Sequence, residues 1–291
     1  NAIKVIGVSG ASATIVDLEH AGTFLTLQNG EKFECLLEGL TIRNGTANNG
    51  GMAITLNNAE LTVKNCIIAD QVTGTFSDMD YISSCAAVAV TGGKLHVSDT
   101  QFVANRVNLS NSGGWGMGGD GSAGALYLSE NAIAEAENCD FIGNAAYEVG
   151  AVYVSGSVFR GNRCRFVDNV AISKPQDNGY YGTYIPPGAA VFYIMSNWMG
   201  DMNPGQVELQ NSLLLNNRVF TDYSAIYCES DSMVSLNHVT VLDAPAGKGS
   251  IYLNGIGDIQ NSILTQPLIK GSYGSLIAGC NCVPDSWNSF G

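Results

Sequence analysis

The residues best suited to chemistry in this 291-residue chain are scattered acids. Asp78 and Asp80 are spaced to share one side of a strand, and Asp120, Asp168 and Asp177 follow at wider intervals. Arg163, Arg165 and Lys174 supply the bases nearest to them in sequence. Two carboxyls at a defined separation would hydrolyse a glycosidic bond. Asp78-Met79-Asp80 and Asp177-Asn178-Gly179 carry parts of a calcium loop, so Asp78, Asp80 and Asp177 are weak candidates for Ca²⁺. Neither segment completes an Asp-x-Asp-x-Asp-Gly frame, and no other cofactor motif is recognisable. No paired-carboxylate motif recurs, so solvated surface charge is the favoured reading of these acids. His20, His96 and His238 lie far apart, and a Ser-His-Asp arrangement has no Gly-x-Ser-x-Gly support.

Aromatic residues cluster in the same stretches as the acids. Segments of roughly 71–84, 106–122 and 171–188 contain Tyr81, Trp115, Asp120, Tyr180, Tyr181 and Tyr184, and Trp198 lies in a further insertion. These residues form the expected ligand-binding surface.

The elements that must carry them follow from an internal repeat. Ala123-Gly124-Ala125-Leu126-Tyr127-Leu128 leads to Asn138-Cys139-Asp140-Phe141-Ile142-Gly143-Asn144. The phrase returns as Gly150-Ala151-Val152-Tyr153-Val154 and Arg163-Cys164-Arg165-Phe166-Val167-Asp168-Asn169. Weaker copies surround Asn237-His238-Val239 and Asn261-Ser262-Ile263. Three columns result. Asn65, Asp99, Asn138, Asn211, Asn237 and Asn261 form the first, with Gly39 and Arg163 as exceptions. Leu40, Cys66, Thr100, Cys139, Cys164, Ser212, His238 and Ser262 form the second, which trends inward. Ile42, Ile68, Phe102, Phe141, Phe166, Leu214, Thr240 and Leu264 form the third.

The basal period is 24–26 residues, lengthened by insertions in three coils. Short β-branched and aromatic strands with Gly and Asn corners at this period predict an all-β, single-domain parallel solenoid over 1–291. Residues 33–265 would form the repeat coils, with an N-terminal coil or cap at 1–32 and a C-terminal cap at 266–291. About ten coils at about 4.8 Å each give a rod of roughly 50 Å. Asn65, Asn138, Asn211, Asn237 and Asn261 are the expected structural ladder, because Asn tolerates left-handed backbone and its amide bonds an equivalent amide one coil away. Tyr127, Tyr153, Phe192, Tyr227 and Tyr252 form an outward aromatic column, either a platform for sugar rings or a packing ladder. The insertions leave the same corner in neighbouring coils and should decorate one side.

Composition agrees. There are 35 Gly and 27 Asn, only 13 Lys and Arg against 26 Asp and Glu, and a net charge of -13. A solenoid coil has few places for a solvated charge away from a like charge above it. The basic footprint that nucleic acid requires is lacking. No run of apolar residues is long enough for a membrane span. The eight Cys show no CxxC pair. Cys139 and Cys164 would stand one coil apart, within disulfide reach, or would pack as small buried hydrophobes.

Gly50-Gly51-Met52-Ala53-Ile54, Gly124-Ala125-Leu126 and Gly150-Ala151-Val152, with Phe102…Asn105, Phe141…Asn144 and Phe166…Asn169, resemble the polymorphic outer membrane protein-type repeat. More broadly they resemble pectin-lyase-like β-helices. The resemblance implies a right-handed parallel β-helix, a surface or secreted location, and a glycan or surface-protein partner. It also implies an enzymatic alternative, a lyase or glycoside hydrolase on an extracellular polysaccharide, in which Asp78, Asp80, Asp168, Asp177, Arg163, Arg165 and Lys174 would serve. No lyase signature surrounds an Arg or Lys, so a non-enzymatic adhesive, structural or glycan-binding role is expected. Open pairing edges at the ends of the rod would also permit end-to-end self-assembly.

Overall fold

A computed structural model describes residues 2–47, 53–73, 84–85, 87–107, 122–172, 176–177, 183–184, 188–196, 203–219, 225–242, 250–266 and 268–281. Among them there is no helix, and every strand pairing but one is parallel. The chain winds repeatedly through three sheets, pairing each strand with its equivalent in the next circuit.

The largest sheet is built on the long strands Ile54–Lys64 and Val88–Ser98, which pair in register. In later circuits this strand breaks in two, as Leu126–Ser129 with Ile133–Glu137, then Val152–Ser155 with Val158–Asn162. A second sheet of nine strands runs from Ile15–Asp17 to Ile263–Leu264, where about ten coils were expected. A third has six short strands, from Thr46–Ala47 to Arg218–Val219. The same stack reaches into 1–32 and 266–291: Lys4–Ile6 pairs with Leu36–Glu38, and Ser275–Gly279 with Ile256–Gln260.

The inward side chains of the two larger sheets, with Ala171 and Val219 of the third, form one apolar core, while Val107 and Ala146 of the third pack as a small cluster of their own. Phe102, Phe141 and Phe166 stack through it with centroids 4.8 and 4.7 Å apart. Chain corners need special backbone. Gly39, Asn65, Asp99, Asn138, Arg163, Asn211, His238 and Asn261 all have φ between 49° and 66°. The small doublets have a steric cause: a Cβ on Gly124 would sit 2.2 Å from the Gly150 carbonyl oxygen, and one on Gly150 would sit 2.4 Å from that of Ala190.

Two columns differ from expectation by one residue. Asn237 pairs with Gln210 inside a strand, so His238 takes the left-handed corner and is exposed. Val239 and Val241, not His238 and Thr240, then point inward. Likewise Phe192 pairs with Val152 and faces the core, whereas Tyr193 stands beside Tyr153 in the aromatic column.

The ladder also moves. Asn65, Asn138, Asn211 and Asn261 stand on the exposed corner, where hydrogen bonds join side chains of neighbouring circuits in pairs, such as Asn138 Nδ2 to Asp99 Oδ1 at 2.7 Å and Asn261 Nδ2 to Asn237 Oδ1 at 3.0 Å. The continuous buried ladder is formed by the Asn of Phe-x-x-Asn. Asn105 donates to Asn144 at 2.9 Å, Asn144 to Asn169 at 3.0 Å, and Asn169 to Asn217 at 3.0 Å. Each acceptor oxygen also takes the main-chain N–H of the circuit before it, for example Asn144 N–H to Asn169 Oδ1 at 3.1 Å. The second amide hydrogen reaches a carbonyl of that circuit, as from Asn169 to Phe141 O at 2.9 Å. Gln71 ends the row, accepting from Gly45 N–H at 2.9 Å.

Asn169→Ala should therefore leave the buried Asn144 donors without their acceptor and remove one bond to the Phe141 carbonyl, costing about 3 kcal/mol. Asn211→Gly, at an exposed left-handed corner, should change stability by less than about 0.5 kcal/mol. Denaturant unfolding of the two variants would test this, and equal effects would show that the buried row is not special.

Candidate functional site

Most of the residues first expected to act lie outside the described part of the chain. They are Asp78, Asp80, Tyr81, Trp115, Asp120, Lys174, Tyr180, Tyr181 and Trp198. Asp177 and Tyr184 belong to a short antiparallel pair, Gln176–Asp177 with Thr183–Tyr184, of which only the backbone is described. Asp168 is exposed at a left-handed corner. Arg163 is bound to Glu137 one circuit away. Arg165 holds Asp140 with two bonds of 2.7 and 2.6 Å, and its hydrogen bonds to that carboxylate raise its pKa. Both arginines thus serve as clasps between neighbouring circuits. Among the described residues, no group of three or more His, Cys, Asp or Glu side chains is placed to hold a metal ion.

The aromatic column points away from the main core but is not an open platform. Tyr127, Tyr153 and Tyr193 are 8%, 5% and 7% exposed, sealed against Cys85, Ala89, Ala123, Val149 and Ala189. Their rings stack at 5.2 and 5.4 Å, and the stack continues through Tyr227 and Tyr252 at 5.0 and 4.9 Å. Of the two uses expected for this column, packing is the one observed over Tyr127–Tyr193. Along the seam the Tyr153 hydroxyl donates to Met195 Sδ at 2.7 Å, and the Tyr193 hydroxyl donates to the half-buried Glu229. Burial pushes the pKa values of Tyr193 and Glu229 up, and the Glu229 charge adds to the rise at Tyr193.

The seven described cysteines are free thiols, six of them buried. Burial pushes the thiols of Cys85 and Cys228 up to about 12, so neither is a ready nucleophile.

What the structure does assemble is a polar groove of about 420 Å³ on the outer face of the largest sheet. In-register pairing puts His96, Glu135, Arg160 and Glu208 side by side in four successive circuits. His96 Nδ1 lies 2.9 Å from Glu135 Oε2. Arg160 bridges onward, 3.6 Å to Glu135 and 3.3 Å to Glu208. Two positions along the same strands, Glu137, Asn162 and Gln210 form a second row, with Asn162 donating to Glu137 at 3.3 Å. The floor is backbone with Val97, Ala136 and Gly161.

Such pairs near the surface contribute at most about 1 kcal/mol each. Their larger effect is to give the groove fixed donors and acceptors. The sequence reading missed this site because each acid or base is isolated in its own strand. Aligning the strands that precede the left-handed corner would have shown the row.

The Tyr193–Glu229 pair yields a pH prediction. A raised Glu229 pKa means the folded state binds that proton more tightly than the unfolded chain. Its stabilising contribution is therefore full below the ordinary glutamate value and is lost as pH rises through the folded-state value. Glu229→Gln keeps an acceptor for Tyr193 and should remove that slope, leaving the variant's melting temperature less dependent on pH between mildly acidic and neutral buffers. Parallel melting curves for the two proteins across that range would contradict the assignment.

Comparison with protein-family models, with curated proteins and with solved structures finds no match to this chain.

Proposed function

We propose that the chain is a non-catalytic, right-handed parallel β-helix, secreted or displayed at a cell surface, that binds a neutral glycan along the polar groove. One observation carries this reading: two of the groove's carboxylates each have a cross-circuit partner, Glu135 in His96 and Arg160, Glu208 in Arg160. A row of paired donors and acceptors of this kind suits a hydroxyl-rich chain, whose oxygens both donate and accept. It suits a polyanion poorly, since Glu135, Glu137 and Glu208 all line the same groove. From His96 to Glu208 the groove covers three circuit steps, about 14 Å, enough for a few linked sugar rings.

Glycoside hydrolysis asks for one carboxyl kept protonated by burial or by a like-charged neighbour. Glu135 and Glu208 face a cation instead, which favours recognition over turnover. Neutral hexose oligosaccharides should bind the purified chain, and Arg160→Ala should weaken binding about tenfold or more by freeing two carboxylates. Titration calorimetry, alongside an assay for new reducing ends, checks both halves. Steady release of reducing ends would favour the hydrolase alternative, and undiminished binding by Arg160→Ala would remove the groove from the reading.

A structural role in end-to-end assembly has its own support. Val8, at 95% exposed, and Ile6 stand at one end of the strand stack, and Tyr273, at 79%, with Ile277 at the other. Apolar side chains beside parallel strand edges favour stacking of a second copy. Sedimentation velocity over a concentration series should show growing species; a single monomeric boundary throughout would remove this role.

A further inference from the structure

We infer that Phe33, with His96, forms a stacking subsite at one end of the groove for the apolar face of a neutral pyranose ring. This rests on the glycan-binding reading and adds the place where a sugar ring is gripped. Phe33 is 37% exposed. Its ring lies 4.3 Å from the His96 imidazole, tilted by 60°, and Lys94 Nζ stands 5.9 Å from its centroid. His96 is itself a groove residue held by Glu135, so Phe33 meets the polar row at its first member.

The segment carrying Phe33 is anchored on both sides. Glu60 N–H donates to Glu31 O at 2.8 Å, and Lys32 pairs with Glu60 at 3.5 Å. Glu31 also accepts from Asn29 N–H at 2.8 Å, and Cys35 N–H donates to Lys32 O at 2.9 Å. The ring is thus presented by an ordered backbone, which lowers the entropy lost when a ligand settles on it.

The chemistry is complementary. An aromatic face carries negative quadrupole density and attracts the polarised C–H groups on one side of a pyranose ring. Lys94 Nζ, over one face of the ring, offers a donor to the equatorial hydroxyls, and His96 offers the ring nitrogen that does not face Glu135. The neighbouring row of Glu135, Arg160 and Glu208 then takes the hydroxyls of the following rings, so the glycan would run along the stack of circuits with one ring on Phe33.

The test uses cellohexaose, laminarihexaose and β-mannohexaose with the whole chain, read by titration and by proton NMR of the sugar. Binding of at least one hexaose is expected, with ring-current upfield shifts of pyranose C–H protons. Phe33→Ala should weaken that binding about three- to tenfold, and Phe33→Trp should retain it. Phe33→Leu should keep the apolar bulk yet abolish the upfield shifts, which a purely structural role for Phe33 would not predict. If the wild-type chain binds hexaose without upfield shifts and Phe33→Ala binds equally well, the subsite is wrong while the groove stands. If no hexaose binds the wild-type chain, both the neutral-glycan reading and the subsite fall.

Discussion

Each circuit of this molecule must lie in register on the one before it, and the buried amide row from Asn105 to Asn217 is the interaction that enforces this. A slip by one residue would move every inward side chain outward. It would also strip each buried asparagine of its acceptor, its main-chain donor and its carbonyl at once, three losses in a medium where an unpaired polar group is costly. The neighbouring Phe102–Phe141–Phe166 stack depends on the same register, because rings overlap at 4.7–4.8 Å only when their strands are level. Apolar stacking alone would tolerate sliding; directional amide bonds do not.

Register also writes the surface. Once the circuits are level, any charge meets its equivalents above and below at strand spacing, so like charges in one column repel and opposite charges pair. Arg165 on Asp140, Arg163 on Glu137 and Arg160 between two glutamates are three solutions to that constraint. The groove is thus a by-product of fold stabilisation: a row of side chains already fixed in position. The tyrosine seam shows the alternative solution, in which an outward column avoids charge and is sealed beneath neighbouring backbone.

The all-β class, the parallel repeat, the Phe102–Phe141–Phe166 column and the left-handed corner were legible in the sequence because each recurs as a residue type at a fixed offset. The slip at Asn237 arose where two residues compete for one place. Asn237-His238 offers the expected Asn one position before the residue that turns the corner, and the weakness of that copy hid the shift. Phe192-Tyr193 misled in the same way, since adjacent aromatics fit either face until pairing fixes one. Choosing the corner asparagines as the ladder followed from their number. Burial decides between two Asn columns, and burial depends on which side of the corner faces the core. The groove was illegible for a different reason: His96, Glu135, Arg160 and Glu208 share no residue type, so a search for likeness passes over them.

Circuit length varies widely while register does not. Equivalent positions are 23 residues apart at Val239 and Ser262 and 48 apart at Cys164 and Ser212, yet in both pairs the main-chain N–H of the first meets the hydroxyl of the second at 3.1 Å. The ladder therefore does not depend on how much chain is spliced between one strand and the next. Segments could be lengthened, exchanged or grafted at these junctions while the stacked strands beneath them keep the same register.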